Sequence, residues 1–313
     1  MRAYIGVTDG RWYRYLLRRR PSEVNFWQPS GGRRFRAIEP GAPFLFKTSY
    51  RDPLPHRIVG CGFLSGWASL PLSRAWEFFG EENGCESEAE LKRSISAYRR
   101  RQSPDDEDPE IGCIMLRDVT FLTEEQTFPA PDDWSRNIVQ GKTYDVSRGS
   151  VLENDLVRLL GASAEQPSAM EPGGVDGDVF GDPRLQQVRL GQRAFKALVQ
   201  EAYGRRCAIT GDRVVPVLEA AHIRPVAASG ENRIDNGLLL RSDVHTLFDR
   251  GYLGIHPRRR TLMVSPRLRA TWGNGDEFYA RERAAVPVRS PISRANEPRV
   301  EALEWHADTV FKA

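Results

Sequence analysis

Three side chains of types that can hydrolyse a phosphodiester stand in order within one short stretch of the chain. His222 ends the run Glu-Ala-Ala-His, Asn236 lies in Asp-Asn-Gly, and His245 opens His-Thr-Leu-Phe-Asp. Cutting a phosphodiester requires an activated water and charge stabilisation at the phosphate. A neutral imidazole can take the proton from the water, and a divalent cation can supply the charge. These residue types predict a metal-dependent phosphodiesterase centre.

The segments around the first two residues predict a hairpin. The apolar run Pro216–Ile223 is typical of a strand and contains His222 near its end. The small polar residues 228–232 predict the hairpin loop, and Asn236-Gly predicts a second turn before the return strand.

A helix is predicted to carry the third residue. Ser242 or Asp243 can cap a helix whose first turn holds His245. Since His245 and Asp249 are four residues apart, they share one face of that helix. An imidazole and a carboxylate so placed can hold a divalent ion.

Residues 206–251 resemble the HNH endonucleases, in their bacterial restriction-type branch. The resemblance rests on the runs RCAITG, EAAHI-x-P, NGLLL and HTLFD-x-G. It implies a hairpin followed by a helix, with His222 as general base, Asn236 orienting it, and His245 as a catalytic metal ligand. Asp249 and Glu219 are the further metal ligands expected, and Mg²⁺ or Mn²⁺ is the ion expected.

Two positions depart from the pattern of that family. Ala221 stands where many members carry an Asp or His metal ligand immediately before the base, which is why Glu219 is included among the expected ligands. Cys207 has no second thiol nearby. No structural zinc is therefore expected, and the module must be held by packing.

The N-terminal part is predicted to be an α+β domain of short strands with helices in the connections, which fits a small β-barrel. It resembles the PUA-like group, in its EVE and ASCH branches. The resemblance rests on the runs AYIGVTDGRWYRYL, VNFWQPSGG, FLFK, IVGCGFL and DDWSRNIVQGKTYD. It implies a pocket that binds a modified nucleobase.

The expected pocket combines aromatic walls with polar groups that read the edge of a flipped base. Trp27 is the first candidate, because its Pro/Ser/Gly-Gly surroundings predict a loop with little core for a large ring to join. The complete candidate set is Trp27, Phe26, Trp67, Ser30, Asn137 and Gln140.

The expected domains are residues 1–146 for the base reader and 184–313 for the nuclease. Between them, residues 147–183 are predicted to form a short helix at Val151–Leu160 and a Gly/Pro/Ala/Ser-rich flexible linker over 161–183.

Composition adds weaker constraints. The chain has 313 residues and a net charge of +3. A basic stretch over 250–270 makes Arg258, Arg259 and Arg260 candidates for DNA phosphate contacts. The four cysteines show no disulfide framework spacing, and neither a membrane span nor a signal peptide is recognised, so a bacterial cytoplasmic location is expected.

Together these features predict a modification-dependent DNA restriction endonuclease that acts on double-stranded DNA carrying modified cytosine. One nuclease module per chain predicts a homodimer or transient pairing on DNA. Two alternatives remain open: a nicking or phage-defence HNH nuclease not directed by base modification, and a non-catalytic nucleic-acid-binding protein on a degraded HNH scaffold.

Overall fold

The computed structural model describes residues 2–99, 107–146, 191–285 and 287–313, which fall into two compact units divided between Val188 and Arg189. Each unit buries its own set of apolar side chains. The helix predicted at Val151–Leu160 and the linker predicted over 161–183 lie outside the described residues. Within the described ranges, every helix is too short or too polar to cross a bilayer.

The first unit is a mixed sheet with helices in its connections. Its elements are β1 (Arg2–Thr8), α1 (Gly10–Arg19), β2 (Glu23–Gln28), β3 (Pro43–Thr48), β4 (Arg57–Pro71), α2 (Leu72–Phe79), α3 (Glu88–Tyr98), β5 (Glu110–Phe121), β6 (Phe128–Pro129) and β7 (Gly141–Asp145). Strand order is β2-β5-β4-β3-β1-β7, with β6 paired to β4, and β1 runs parallel to β3.

This sheet curls strongly. A Cβ atom on Gly6 of β1 would lie 3.1 Å from Cζ of Phe26 on β2, although three strands separate β1 from β2 in the sheet order. The enclosed space is filled by an aromatic cluster in which Phe26 contacts Trp12, Phe44 and Phe46. The predicted α+β class is confirmed, and the curl gives the sheet the form expected of a small barrel.

The second unit contains the predicted hairpin and helix. Its elements are α4 (Gln192–Ala202), β8 (Leu218–His222), β9 (Gly237–Arg241), α5 (Ser242–Asp249), β10 (Leu253–Ile255), β11 (Leu262–Val264), α6 (Pro266–Trp272), α7 (Asp276–Arg283) and α8 (Val300–Thr309). Helix α6 begins at Pro266, because the Ser265 side chain caps it and Pro266 suits the first helical position.

The buried face of helix α5 packs against helix α8. Val244 and Phe248 are fully buried, and the His306 ring of α8 stacks on Phe248 with centroids 3.8 Å apart. His306 Nε2 also donates to the Phe248 carbonyl at 3.1 Å. Burying a Phe side chain contributes about 1.5–3 kcal/mol, so this contact fixes the helix firmly. His245 and Asp249 lie on a different face of α5 from these two buried residues.

Candidate functional site

The hairpin places His222 against helix α4. Strands β8 and β9 pair antiparallel, with His222 opposite Gly237. A Cβ atom on Gly237 would lie 2.6 Å from Val199 and 3.0 Å from Phe195, so glycine is needed for α4 to approach this closely. The Phe195 ring then stacks on the His222 ring, with centroids 4.1 Å apart and planes 11° apart. The stack fixes the orientation of the imidazole.

A hydrogen bond sets which nitrogen of His222 is basic. Nε2 lies 2.8 Å from Oδ1 of Asn232, an atom that only accepts, so Nε2 carries the hydrogen and Nδ1 keeps its lone pair. Burial lowers the pKa of His222; the Asn232 bond opposes this shift, and the nearby His245 adds to it. His222 is therefore neutral at pH 7 and can accept a proton.

Asn236 ties the hairpin loop together. Its side chain is 1% exposed. Oδ1 accepts from the Arg224 backbone N–H at 3.0 Å, and Nδ2 donates to the carbonyls of Arg224 at 2.9 Å and Glu231 at 3.0 Å. The loop that carries Asn232 is thereby closed around one amide. Asn236 thus holds in place the loop residue that contacts His222.

Replacing Asn236 with Ala should destabilise the second unit by about 2 kcal/mol, because three backbone groups lose their buried partner. Asn236→Asp is the matched variant, since it keeps the acceptor and loses the two N–H donors. Chemical denaturation of both variants measures the effect. Unchanged stability in Asn236→Ala would show that the loop does not depend on this side chain.

The predicted metal ligands meet at His245. Its Nδ1 lies 2.7 Å from Oε2 of Glu219 on β8, and its Nε2 lies 3.2 Å from Oδ2 of Asp249. The contact with Asp249 chiefly raises the pKa of His245, and Glu219 adds to the shift against the effect of burial. Glu219 lies two residues before Ala221 on the same strand. It thus provides a carboxylate on the strand where Ala221 has none.

Two of these three side chains can bind one hard divalent ion, but the three together do not surround it. The two carboxylates contact opposite sides of the imidazole, and within the described residues no three His, Cys, Asp or Glu side chains converge as a metal-binding group. Mg²⁺ commonly takes one or two protein ligands and completes its shell with water. One His245 nitrogen with one carboxylate, Asp249 or Glu219, therefore fits such an ion once the imidazole is neutral.

The segment before the hairpin is held by a buried thiol and ion pairs. Cys207 Sγ accepts from the backbone N–H groups of Thr210 and Arg241, both at 3.4 Å. The Arg241 guanidinium lies 2.6 Å from carboxylate oxygens of both Asp212 and Asp243. These contacts connect residues 207–212 to the junction of β9 and α5.

The three arginines proposed for phosphate contacts do not form one patch. Arg258 and Arg259 are exposed on a turn whose backbone N–H groups donate to His256 Nδ1. Arg260 has a left-handed backbone (φ 57°), and its half-buried side chain lines a small pocket with Glu297 and Leu303. Arg258 and Arg259 are therefore the more accessible pair for contact with DNA.

In the first unit, the three aromatic candidates do not line one pocket. Trp27 lies in β2, so the loop position expected for it is wrong. Successive side chains of a strand point to opposite faces. Phe26 and Trp67 both pair with Ile114 and share one face, whereas Trp27 pairs with Cys113 on the other. There the Trp27 indole donates to the Asn83 carbonyl and packs edge-on against Tyr98.

The polar candidates also separate. Ser30 lies beside the face of the sheet that carries Phe26 and Trp67, here named the Trp67 face. A Cβ atom on Gly112 would be 3.2 Å from the Ser30 carbonyl oxygen and 3.1 Å from Trp67 Nε1. Asn137 and Gln140 are exposed before β7, and within the described residues no hydrogen bond or ring contact joins them to Phe26, Trp27 or Trp67. Gln28, which the sequence reasoning missed, accepts from Trp67 Nε1 at 3.3 Å. Because Gln28 lies two residues after Phe26 in the same strand, the alternation of side chains predicts that both lie on the same face.

Several solved structures are similar to parts of the chain. Similar solved structures include a mutant ASCH protein from Zymomonas mobilis (12% identity, 50% of this chain and 97% of that chain, TM-score 0.32). A second ASCH structure from Zymomonas mobilis (10% identity, 51% and 94%, TM-score 0.30) and the modification dependent TagI restriction endonuclease (14%, 92% and 75%, TM-score 0.27) are also similar. No curated protein matches the chain significantly.

The family comparison concerns the site itself. The model of the HNH endonuclease family matches residues 207–256, a range that includes the hairpin, Asn236 and helix α5. The HNH resemblance read from the sequence is confirmed, and residues 207–256 are a domain of the HNH endonuclease family.

Proposed function

We propose that the chain is a modification-dependent DNA endonuclease, in which the second unit cuts DNA and the first unit reads a modified base. The observation that carries the cutting step is the placement of His222. It is a neutral imidazole oriented by Phe195 and Asn232, and His245 and Asp249 are near enough for their charges to shift its pKa. A base beside a pair of metal-ligating groups is the arrangement that phosphodiester hydrolysis needs.

Each residue has a distinct role in this proposal. A divalent ion bound by His245 and Asp249, or by His245 and Glu219 in place of Asp249, would stabilise charge on the phosphate and on the leaving oxygen. Nδ1 of His222 removes the proton from the attacking water, while the Nε2–H bond to Asn232 keeps the ring in place. Asn236 holds the loop that carries Asn232, and Arg258 and Arg259 contact flanking phosphates.

The base-reading step is proposed for the Trp67 face of the barrel. Trp67 is half-buried and offers a ring on which a flipped base can stack. Gln28 and Ser30 lie beside it and can bond to the base edge. A Cβ atom on Gly31 would lie 1.9 Å from Ser69 Oγ, so glycine lets this loop close onto β4. The exposed Arg33, Arg34 and Arg36 follow in the same loop and can contact the DNA backbone.

Trp67→Ala should reduce the preference for modified over unmodified DNA at least ~10-fold, because one stacked base is worth about 1–3 kcal/mol. Trp67→Phe keeps an aromatic face and should retain part of the preference. The measurement is cleavage and binding of matched duplexes carrying cytosine, 5-methylcytosine, 5-hydroxymethylcytosine or glucosylated cytosine.

Trp27→Phe is the control on the opposite face, since it loses the bond to Asn83 and keeps the packing. It should leave the preference unchanged. If Trp27→Phe removes the preference and Trp67→Ala does not, the reading face is the one that carries Trp27. If the intact protein cuts all four duplexes equally, the nuclease is not directed by base modification. If it cuts none with any divalent ion, the non-catalytic alternative holds.

The family model matches one segment of the chain. A double-strand break therefore requires two chains or two successive nicks, and we propose a homodimer or transient pairing on DNA.

A further inference from the structure

A buried lysine stands out in the first unit, away from the groups assigned above. Lys47 is 1% exposed, and its Nζ donates to the Thr48 carbonyl at 2.9 Å. Nζ also lies 4.8 Å from the ring centroids of both Tyr50 and Trp134. Among the described residues no carboxylate lies within ion-pairing distance of it. An ammonium group has three donors, and one carbonyl leaves this one short of acceptors.

The neighbours of Lys47 add further unsatisfied groups. Trp134 is 4% exposed, and its Nε1 is buried without a hydrogen-bond partner. Nδ1 of His56 is likewise buried without a partner, while its ring stacks on Tyr50 at 4.4 Å. Buried polar groups are nearly always paired, so two orphaned atoms beside a cation that has no carboxylate partner call for a ligand.

The backbone is irregular at this point. The β3–β4 pairing shifts register between Phe46 and Lys47, because β4 has one extra residue opposite this step. His56, at the end of the same loop, has a left-handed backbone with φ 56°. Bulges and strained residues of this kind concentrate at binding sites.

Charge selects the class of ligand. Burial lowers the pKa of Lys47 to about 8, so the group is still cationic at pH 7. The Arg136 guanidinium lies 5.4 Å from the Tyr50 ring centroid and adds positive charge, with Asp132 as the opposing charge near His56. Tyr50 is 37% exposed, so the cluster reaches the surface there. An oxyanion would neutralise Lys47 and accept from Trp134 Nε1.

We propose that Lys47, Tyr50, His56 and Trp134 form a binding site for a phosphate group, separate from the Trp67 face and from the nuclease centre. The phosphate can belong to the DNA backbone, to a nucleotide or to the free anion. The site does not depend on the proposed nuclease function, because it lies wholly within the first unit.

The full-length protein should be titrated by calorimetry with three probes: inorganic phosphate, deoxycytidine monophosphate and a short unmodified duplex. The tightest binder identifies the source of the phosphate. Lys47→Met should weaken that binding at least ~10-fold, because the charge is lost and the apolar stem is kept. Lys92→Met, at an exposed lysine of the same unit, should bind as the unaltered protein does.

A direct readout avoids dependence on the folding of the variants. The indole N–H resonance of Trp134, assigned with Trp134→Phe, should shift during titration of the unaltered protein with the tightest-binding probe. A resonance that stays in place up to saturating concentrations of all three probes would overturn the proposal. The proposal would also be overturned if a folded Lys47→Met variant bound each probe as tightly as the unaltered protein does.

Discussion

His222→Ala should lower DNA cleavage by at least ~100-fold, the loss typical of a missing general base. Its ring is half-buried and rests on Phe195, so the packing change is local and the unit should remain folded. His222→Gln is the sharper variant, because a side-chain amide can hydrogen-bond to Asn232 and cannot accept a proton. Both variants should bind DNA with nearly unchanged affinity.

The dependence of cleavage on pH gives an independent check. The base acts only when deprotonated, so activity should fall as the pH drops through the pKa of His222. Burial lowers that pKa from the ordinary value of 6.5, so the acidic limb should lie below pH 6.5 when saturating metal ion keeps His245 in its neutral, ligating form. Steady-state cleavage rates from pH 5 to 8 measure the limb. Wild-type-like cutting by His222→Gln would exclude this residue as the base.

His245→Ala should reduce metal-dependent cleavage by ~100-fold or more, because changes even outside the direct metal ligands commonly give 10–100-fold losses. The His245 side chain is 22% exposed and lies outside the buried face of α5, so its loss removes ligation rather than core. Asp249→Asn should give a smaller loss that excess Mn²⁺ partly restores. Glu219→Gln should give the smallest loss of the three.

Calorimetry of Mn²⁺ binding separates ligation from catalysis. His245→Ala and Asp249→Ala should both weaken binding, while Lys196→Ala, at an exposed residue of α4, should not. Unchanged affinity in both ligand variants would place the ion elsewhere, and Glu219 would then be the first residue to reconsider.

The parts of the site that follow local periodicity could be predicted from the sequence. A four-residue spacing put His245 and Asp249 on one helix face, and the Asn-Gly turn located the start of β9. The residues that contact the proposed catalytic base, His222, could not be predicted in this way. Asn232 reaches His222 only through the fold of an irregular loop, and Phe195 reaches it only because Gly237 lets a separate helix approach.

The same limit explains the errors in the first unit. Trp27 lies among Pro, Ser and Gly residues, which predicts a loop, but pairing of β2 with β5 extends the strand through Gln28. Once that strand is assigned, the alternation of side chains along it places Phe26 and Trp27 on opposite faces of the sheet. Arg260 shows a corresponding effect in the second unit, where it is half-buried against a small pocket while Arg258 and Arg259 of the same run are exposed.

We propose that one chain joins a base reader to a metal-dependent HNH nuclease. The most direct test is cleavage of two plasmids of identical sequence, one with unmodified and one with modified cytosine, by the full-length protein with Mg²⁺ or Mn²⁺ and with a chelator. We expect cutting of the modified plasmid, little cutting of the unmodified one, and none with chelator or with His222→Ala. Equal cutting of both plasmids, or cutting that survives the chelator, would contradict it.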